Sequence, residues 1–299
     1  MVSDKKRKKK ITGYRIFSWI NIGIMLLVIF VTAYPIYYVI VASVSSPAAL
    51  YRHFGALWYP LAPYTFSAYK SVLGNPQIAT GFANTLFILV VGVSINIILT
   101  MIGGFFLTLK GPMLRKLIAT MIIFTMYFGG GLVPAYLNVK ELKLINTLWA
   151  LIIPGAVNTV NLIIMRTAFE SIPDSLIESA RLDGASYLRI LTHIMIPLSK
   201  ATIAVLVLYY GVGHWNSWFS ASVYLQDSSL YPLQLVVHRI LDLTRMNEMT
   251  TGADISEMAQ TAELIKYALI VVTTVPVLVI YPFVQKYFTK GVMIGAVKG

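Results

Sequence analysis

Six long stretches without a charged residue constrain this chain more than any other feature. Each is near or above the roughly 20 residues that a helix needs to cross a bilayer core. They are Ile16–Tyr51, Ser71–Leu109, Leu117–Val139, Leu144–Met165, Ala201–Gln226 and Tyr267–Gln285. The first two have polar or proline-rich ends, so we place their helices near residues 17–42 and 82–109. Because unpaired backbone groups are costly in lipid, and these stretches are too long and uniformly apolar for barrel strands, we predict an all-α membrane protein with six transmembrane helices.

The composition agrees with this prediction. Of the 299 residues, 57% are hydrophobic and only 12% are charged, whereas a typical soluble domain has about 25% charged residues. These values argue against a soluble globular domain and against a disordered chain. The chain has no cysteine, which excludes disulfides, thiolate metal sites and cysteine nucleophiles.

The positive charges predict the orientation of the spans. The formal net charge is +12, and the bases alternate between a rich set and a poor set of connecting segments. The rich set holds Lys5–Lys10, Arg15, Lys110, Arg115, Lys116, Arg166, Arg181, Arg189, Lys200, Lys286, Lys290 and Lys298, and the poor set holds Arg52, Lys70, Lys140, Lys143, Arg239 and Arg245. Since cytoplasmic segments carry the excess of lysine and arginine, both termini are predicted to be cytoplasmic.

This topology predicts three parts. A basic cytoplasmic tail occupies residues 1–16, a transmembrane domain occupies 17–290, and a second cytoplasmic tail occupies 291–299. Within the domain, residues 170–198 form a cytoplasmic loop and residues 222–262 form the longest outer loop. The basic start also resembles a signal peptide, but its apolar run is too long and no small-residue cleavage site follows promptly, so we favour a retained first helix.

The spans lack the residues of several other functions. None has an acid or a base in its middle, which argues against a carrier driven by protons or sodium and against a voltage sensor. The four histidines show no H-E-x-x-H spacing, and no G-x-x-x-x-G-K-[ST] segment is present to bind ATP phosphates. If the protein moves a solute uphill, the energy must come from another subunit.

The cytoplasmic loop at 170–198 has the pattern of two short helices. Pro173 suits the first turn of one helix, and Gly184 suits a left-handed residue that ends it. Ser186 can cap a second helix, which we expect Pro197 to end. The first helix would present Glu178, with Arg181 and Asp183, outward. A pair of membrane-surface helices without any partner is an equally simple interpretation.

The same loop resembles the E-A-A…G…I-x-L-P motif of ABC-importer permeases. The matching residues are Glu178-Ser-Ala180, Asp183-Gly184-Ala185, Ile194 and Ile196-Pro197-Leu198, with Ser179 in place of the usual Ala. Three further stretches resemble the carbohydrate-uptake branch that includes the maltose-transporter permeases: Asn84–Leu86, Ile145–Leu151 and Gly291–Gly299. The stretch Tyr127–Pro134 resembles the subgroup that handles complex oligosaccharides.

The resemblance implies a transport subunit of the cell membrane, not an enzyme. Such permeases take up oligosaccharides by alternating access, together with a second, similar permease, two cytoplasmic ATPase subunits and an extracytoplasmic sugar-binding protein. ATP and Mg²⁺ would bind the ATPases, and this chain would hold no cofactor and no metal. The residues implied to contact the ATPase are Glu178, Ala180, Arg181, Asp183, Gly184 and Pro197.

Spans four and five carry a candidate sugar passage. Sugars offer apolar ring faces and many hydroxyls, so aromatic platforms beside amides and hydroxyls suit them. The candidate lining residues are Asn158, Asn161, Tyr209, Tyr210, His214, Trp215, Asn216 and Trp218. The tryptophans could instead be interface anchors or packing residues, and the asparagines could hold helices together.

The outer loop at 222–262 contains an amphipathic stripe and then a polar segment. The stripe comprises Leu233, Val236, Val237, Ile240 and Leu241, and it predicts a helix on the outer surface. By resemblance, the polar segment contacts the binding protein through Arg245, Asn247, Thr251 and Gly252; a surface loop without a partner is the alternative.

Two other functions remain open at this point. A secondary carrier is disfavoured by the absence of buried acids, and a polytopic membrane enzyme acting on sugars is disfavoured by the absence of paired carboxylates. The sequence does not distinguish a maltodextrin from a pectin- or alginate-derived oligosaccharide.

Overall fold

The computed structural model describes residues 4–111, 114–250 and 257–296. All regular structure in these ranges is helical, which confirms the predicted all-α class. The helices are α1 (Asp4–Ser43), α2 (Pro47–Arg52), α3 (Ser67–Leu73), α4 (Pro76–Phe87), α5 (Val93–Thr108), α6 (Arg115–Tyr127), α7 (Leu132–Glu141), α8 (Thr159–Glu170), α9 (Asp174–Leu182), α10 (Tyr187–Ile190), α11 (Ile196–Leu198), α12 (Lys200–Trp215), α13 (Trp218–Tyr224), α14 (Leu233–Thr250) and α15 (Glu257–Ala296). Short 3₁₀ segments lie at Leu148–Leu151 and Ser228–Leu230, and π-helical turns lie at Ile88–Gly92 and Leu191–Met195.

Three of the described helical segments are long and apolar enough to cross a membrane. They are Gly13–Ser43, Pro76–Thr108 and Thr261–Ile280. A fourth candidate is the pair Tyr187–Leu198 and Lys200–Trp215, which meet at a bend of 84°. These segments establish an all-helical membrane protein, whereas the count of six spans and the cytoplasmic termini remain predictions.

The structure corrects three of the helices expected from the sequence. The stretch 117–139 is two helices, α6 and α7, because the chain unwinds at Phe128–Gly131, where Gly131 has a φ of 83°. The stretch 144–165 is helical only from Thr159, after a 3₁₀ turn and an irregular segment. The stretch 201–226 is interrupted at Asn216 and Ser217, between α12 and α13.

The chain divides into two compact units. Unit 1 comprises Met1–Gly74 and Leu243–Val272, and unit 2 comprises Asn75–Asp242 and Thr273–Gly299. Within unit 1, the ring of Tyr38 on α1 meets that of Tyr267 on α15 edge to face, with the ring centroids 5.9 Å apart. This contact joins the first and last long helices of the described chain.

The core of unit 2 is formed by α5, α8, α12 and the turn after α10. Its apolar cluster comprises Ile97, Phe105, Met165, Phe169, Ile172, Ile190, Leu191, Met195, Leu206 and Tyr210. Two glycines of α5 allow α5 and α8 to approach closely, because they present no Cβ to the facing helix. A Cβ on Gly103 would lie 2.9 Å from Leu162 Cδ1, and one on Gly104 would lie 3.0 Å from Met165 Cγ.

Candidate functional site

Helix α9 ends as its sequence predicts, but Pro173 directly precedes its first turn instead of lying in it. It starts at Asp174 directly after Pro173, with the carboxylate in the first turn, where the helix dipole favours a negative charge. Its last residue is Leu182, and Gly184, whose φ is 74°, follows two positions later. Gly184 N–H donates to Arg181 O at 3.0 Å and Ala185 N–H donates to Ala180 O at 2.9 Å, the pair of hydrogen bonds that closes a Schellman motif. The left-handed glycine therefore sets the direction in which the chain leaves α9.

The second short helix of this loop also forms, but it does not end at Pro197. Ser186 caps α10, since its side chain accepts from Arg189 N–H at 3.3 Å, as expected. The helical path then continues through the π turn at Leu191–Met195 into α11, where Pro197 lies in the first turn. Because a proline has no N–H, the turn at Pro197 lacks one backbone hydrogen bond to the preceding turn. The bend to α12 falls at Ser199.

Helix α9 turns one face to the core of unit 2 and the other to the outside. Ile177 and Ala180 pack against the apolar cluster, as does Ala185 after the turn. Glu178, Arg181 and Asp183 are exposed, as expected. The exposed surface also holds Leu182, which is 90% accessible, together with Leu176, Tyr187 and Leu188. The surface is therefore a mixture of charges and large apolar side chains on a firmly seated helix.

The loop after α5 is tied to the start of α9. Lys110 forms an ion pair with Asp174, and the hydrogen bond and charge of Asp174 raise the pKa of Lys110 above its ordinary value. The guanidinium of Arg115 donates to the carbonyl of Leu109 at 2.9 Å, so a cation also satisfies the open C-terminal end of α5. The ion pair therefore connects the loop after α5 to α9, and the Arg115 hydrogen bond connects the start of α6 to the end of α5.

A buried polar network lies deeper in unit 2, centred on Asn96 of α5. Asn96 Nδ2 donates to the carbonyls of Gly155 and Ala156 at 3.0 and 2.9 Å. Its Oδ1 lies 2.7 Å from Nε2 of His214 on α12. One side chain thereby satisfies two carbonyls of the irregular segment before α8 and fixes the imidazole of α12. An apolar residue at position 96 would leave all three groups unpaired.

A second set of buried hydrogen bonds runs parallel to the first. The hydroxyls of Thr100 and Tyr210 lie 2.7 Å apart, and Tyr210 Oη accepts from Asn158 N–H at 3.0 Å. Asn158 caps α8, because its Oδ1 accepts from Asn161 N–H at 3.1 Å. Polar residues of α5 and α12 thus hold the start of α8 in place.

These contacts separate the predicted lining residues into two groups. Tyr210, His214 and Asn161 are 9% exposed or less, and the first two bond to other helices of unit 2. Tyr209, Asn216, Trp218 and Asn158 are exposed, and Trp215 is half-buried. Asn96 and Thr100 are not among the residues predicted from the sequence, because they are uncharged and stand among several other polar residues of the segment Pro76–Thr108.

The connection from α13 to α14 is held by two of the motifs noted in the sequence. Asn84 Nδ2 donates to Ser229 O at 2.8 Å, and Thr85 Oγ1 accepts from Leu233 N–H at 2.9 Å. Asn146, in the left-handed region with a φ of 59°, accepts from the N–H of Asp227 at 2.9 Å. These polar residues therefore position the start of α14.

Helix α14 contains the amphipathic stripe that was predicted for the outer loop. Leu233, Val236 and Val237 are buried, and Ile240 and Leu241 are half-buried. The ring of His238 stacks on Trp218 with centroids 3.9 Å apart, and Arg239 lies 4.4 Å above the ring of Tyr231.

Four residues predicted to contact a binding protein fall at the end of this segment. Arg245 and Asn247 lie on α14, and their side chains are outside the described part of the structure, whereas Thr251 and Gly252 lie outside the described residues altogether. Within the described ranges, no group of three His, Asp or Glu side chains is placed to hold a metal ion.

Comparison with known proteins places the chain in a family. Residues 102–294 match the family described as "Binding-protein-dependent transport system inner membrane component", and the chain belongs to it. It is therefore a multi-pass permease of the plasma membrane, a subunit of a transport system and not an enzyme. Membership of this family does not favour the two alternative functions, a secondary carrier and a polytopic membrane enzyme acting on sugars.

Several relatives are similar along nearly their whole length. Protein LplC of Bacillus subtilis is 38% identical, over 95% of this chain and 96% of that protein. The polygalacturonan/rhamnogalacturonan transport system permease protein YtcP of the same organism is 36% identical, over 95% and 99%. A chain of a bacterial ABC transporter involved in the import of the acidic polysaccharide alginate matches with a TM-score of 0.82 and 33% identity, covering 92% of this chain and 98% of that one.

Proposed function

We propose that this chain is one permease half of an ABC importer for acidic oligosaccharides, driven through α9 by separate ATPase subunits. The observation that carries the proposal is the seating of α9. Its inner face packs on the cluster built by α5, α8 and α12, while Glu178, Arg181 and Asp183 remain exposed. A short helix held in this way can transmit a rigid-body movement of a partner to the transmembrane helices.

The energetic role of the partners follows from what the chain lacks. The sequence has no P-loop for ATP phosphates, so the proposal assigns ATP and Mg²⁺ to two cytoplasmic ATPases. Closure of those subunits around ATP would favour one conformation of the permease over another by contacts made at α9. Alternating access then needs only that the partner binds the two conformations with different affinity.

The assembly proposed here has two further members. A second permease would face this chain across the passage, and an extracytoplasmic binding protein would deliver the sugar. The family description itself names dependence on a binding protein. We place the contact with that protein on the outer segment that includes α14 and on Arg245, Asn247, Thr251 and Gly252.

The proposed substrate class rests on relatives and on the exposed members of the predicted lining. Of the three relatives reported above, two have names that state a cargo, a polygalacturonan/rhamnogalacturonan permease and an alginate importer, and both cargoes are acidic, whereas less similar relatives are named for neutral sugars such as lactose. In this chain Tyr209, Asn216 and Trp218 offer ring faces and an amide for sugar recognition. Arg239, on the exposed side of α14, is a cation that a uronic acid could approach.

The coupling role is tested by reversing one charge on α9. Glu178→Lys should abolish uptake of oligosaccharide by whole cells and should weaken co-purification of the ATPase with a tagged permease. Glu141→Lys, the same reversal at an exposed position at the end of α7, is the matched control and should leave both unchanged. Full uptake and ATPase recovery with Glu178→Lys would contradict the proposal.

The substrate class is tested separately. Uptake of fluorescently labelled oligogalacturonate or oligoalginate should exceed uptake of a neutral maltodextrin of equal length, and excess unlabelled acidic oligosaccharide should compete. Equal uptake of neutral and acidic chains would contradict the acidic class while leaving the coupling role intact.

A further inference from the structure

A loop between α2 and α3 exposes an unusual concentration of aromatic side chains. We call residues 53–66 the aromatic loop. From position 53 to position 69 the sequence has no Asp, Glu, Lys or Arg, and the flanking charges are Arg52 and Lys70. Its exposed aromatic residues are Phe54 (92%), Trp58 (52%), Tyr59 (69%), Tyr64 (67%) and Phe66 (68%). Such a surface is poorly matched to bulk water.

The aromatic loop is nevertheless firmly held against α1. The hydroxyl of Tyr34 accepts from Leu57 N–H at 2.9 Å, and the hydroxyl of Tyr37 donates to the carbonyl of Trp58. Leu57 is 1% exposed. The backbone and one apolar side chain thus fasten the tip of the loop to α1, where the ring of Trp58 also packs, while Phe54 remains exposed.

Hydrogen bonds at the end of α1 fix the returning arm of the loop. Ser46 N–H donates to Leu61 O at 2.9 Å, and Thr65 N–H donates to Val44 O at 3.2 Å. The returning arm is therefore level with the end of α1, whereas the tip is level with Tyr34 and with Phe30, whose ring stacks on Trp58 at 6.0 Å. The loop folds back along the helix before it enters α3.

This backward path sets the depth of the tip. Tyr34 precedes the end of α1 by nine residues, which is about 14 Å of helix. The span Gly13–Ser43 has 31 residues, well above the roughly 20 that cross the hydrocarbon. Counting about 20 residues onward from Arg15 reaches Pro35. The tip then lies at the boundary between hydrocarbon and headgroups, on the side of the membrane remote from the N-terminal lysines.

We propose that the aromatic loop is a lipid anchor, which inserts its rings into the headgroup region of the membrane beside α1. Tyrosine and tryptophan prefer this region because their rings are apolar and their polar tips can reach water and headgroups. The surface is continuous with the flank of α1, where Ile24, Met25 and Leu26 are each more than half exposed and face lipid in a membrane protein. The loop thereby fixes how deep α1 sits.

The composition of the loop favours lipid over a sugar or a protein as the occupant. A sugar platform needs hydrogen-bonding side chains beside the rings, but the hydroxyl of Thr65 is bonded to Ser67 at the start of α3, and His53 bonds to Ala56 O. A protein partner with a polar surface would have to cover five large aromatic residues, and the loop offers it no charged residue to bind. A bilayer requires neither hydrogen-bonding side chains nor complementary charges.

Site-directed spin labelling tests the depth, and the chain suits it because it has no cysteine. Phe54→Cys and Tyr64→Cys, each labelled with a nitroxide, are reconstituted with the partner subunits into vesicles of phosphatidylethanolamine and phosphatidylglycerol (3:1). Collisions with oxygen, which concentrates in lipid, are compared with collisions with a water-soluble nickel chelate. The parent assembly, labelled in the same way, supplies the background from partner chains.

Two matched positions calibrate the measurement. Met25→Cys on α1 reports the lipid value, and Glu141→Cys at the end of α7 reports the aqueous value. We expect the ratio of oxygen to nickel collisions at positions 54 and 64 to lie between these two and severalfold above the value at position 141. A ratio equal to that at position 141 would overturn the proposal, and so would shielding from both reagents, which would assign the surface to a protein partner.

Discussion

Asn96 is the residue whose loss should cost unit 2 the most. It is fully buried and makes three hydrogen bonds, to Gly155 O, Ala156 O and His214 Nε2. Asn96→Ala leaves these groups unpaired, so we expect the free energy of unfolding in detergent to fall by about 1–3 kcal/mol. Asn216→Ala is the control, because Asn216 is exposed and bonds only to Val212 O of its own helix among the contacts described. Equal losses in the two variants would contradict this role for Asn96.

Gly92 should be coupled to His214. A Cβ at position 92 would lie 2.8 Å from Nε2 of His214, so Gly92→Ala should push the imidazole away from Asn96 and destabilise the fold. In a His214→Ala background the obstacle is absent, and the same substitution should cost less. We expect an interaction energy of about 0.5–3 kcal/mol in a double-mutant cycle followed by chemical denaturation. Strict additivity would show that the close approach has no energetic consequence.

The ion pair of Lys110 with Asp174 should contribute little to stability at neutral pH. The pKa of Lys110 is raised by the hydrogen bond from its ammonium to Asp174. Such a group stabilises the fold fully below the ordinary lysine pKa of 10.5, and the contribution is lost as the pH rises through the higher pKa of the folded state. Both side chains are largely exposed, so water and salt screen the pair.

We therefore expect the thermal midpoint of Lys110→Gln to stay close to that of the parent at pH 7.5. Any difference should vanish in 0.5 M NaCl. A fall of several degrees that persists in high salt would mean that the pair acts through packing and not through charge.

At the scale of elements, the turn after α9 carries the most specific prediction. Gly184 has a φ of 74°, and nothing lies within 4 Å of a Cβ built there, so the backbone alone opposes another residue. Gly184→Ala should lower stability by about 1–2 kcal/mol and should reduce uptake by misdirecting α9. Gly184→Asn should retain more of both, because asparagine tolerates the left-handed region. The unfolding midpoint and the rate of oligosaccharide uptake are measured for both variants. Identical values for Gly184→Ala and Gly184→Asn would contradict a requirement for the left-handed conformation at position 184.

The same scale shows what a sequence of this kind can and cannot predict. Caps and turns depend only on residues close in sequence, so the two short helices could be predicted from Ser186 and Gly184. The length of the apolar stretches was sufficient to predict α1 and the segment Pro76–Thr108. The irregular segment before α8 was not foreseen, because its carbonyls at Gly155 and Ala156 are satisfied by a side chain about 60 positions earlier. A scan for charges cannot detect such a pairing. A triple glycine such as the one at 129–131 suits close packing as well as unwinding, so the break after α6 does not follow from the sequence.

At the scale of the whole molecule, one interruption between two helices is left exposed by the rest of the described chain. None of the thirteen residues of α6 is buried by the rest of the described chain, and at about 20 Å the helix is too short to cross the hydrocarbon. It ends at the unwound Phe128–Gly131, whose four residues are exposed. Irregular backbone at membrane depth is tolerated only inside protein or beside water. We therefore expect the second permease of the proposed importer to cover this break.

Cysteine labelling can detect that cover in the cysteine-free chain. Phe128→Cys should react with a small water-soluble maleimide when the chain is purified alone in detergent, and it should be protected severalfold when the partner permease is co-expressed. Glu141→Cys should react equally in both preparations. Equal reactivity of position 128 with and without the partner would place the break beside water instead, because protection by a neighbouring subunit depends on that subunit being present.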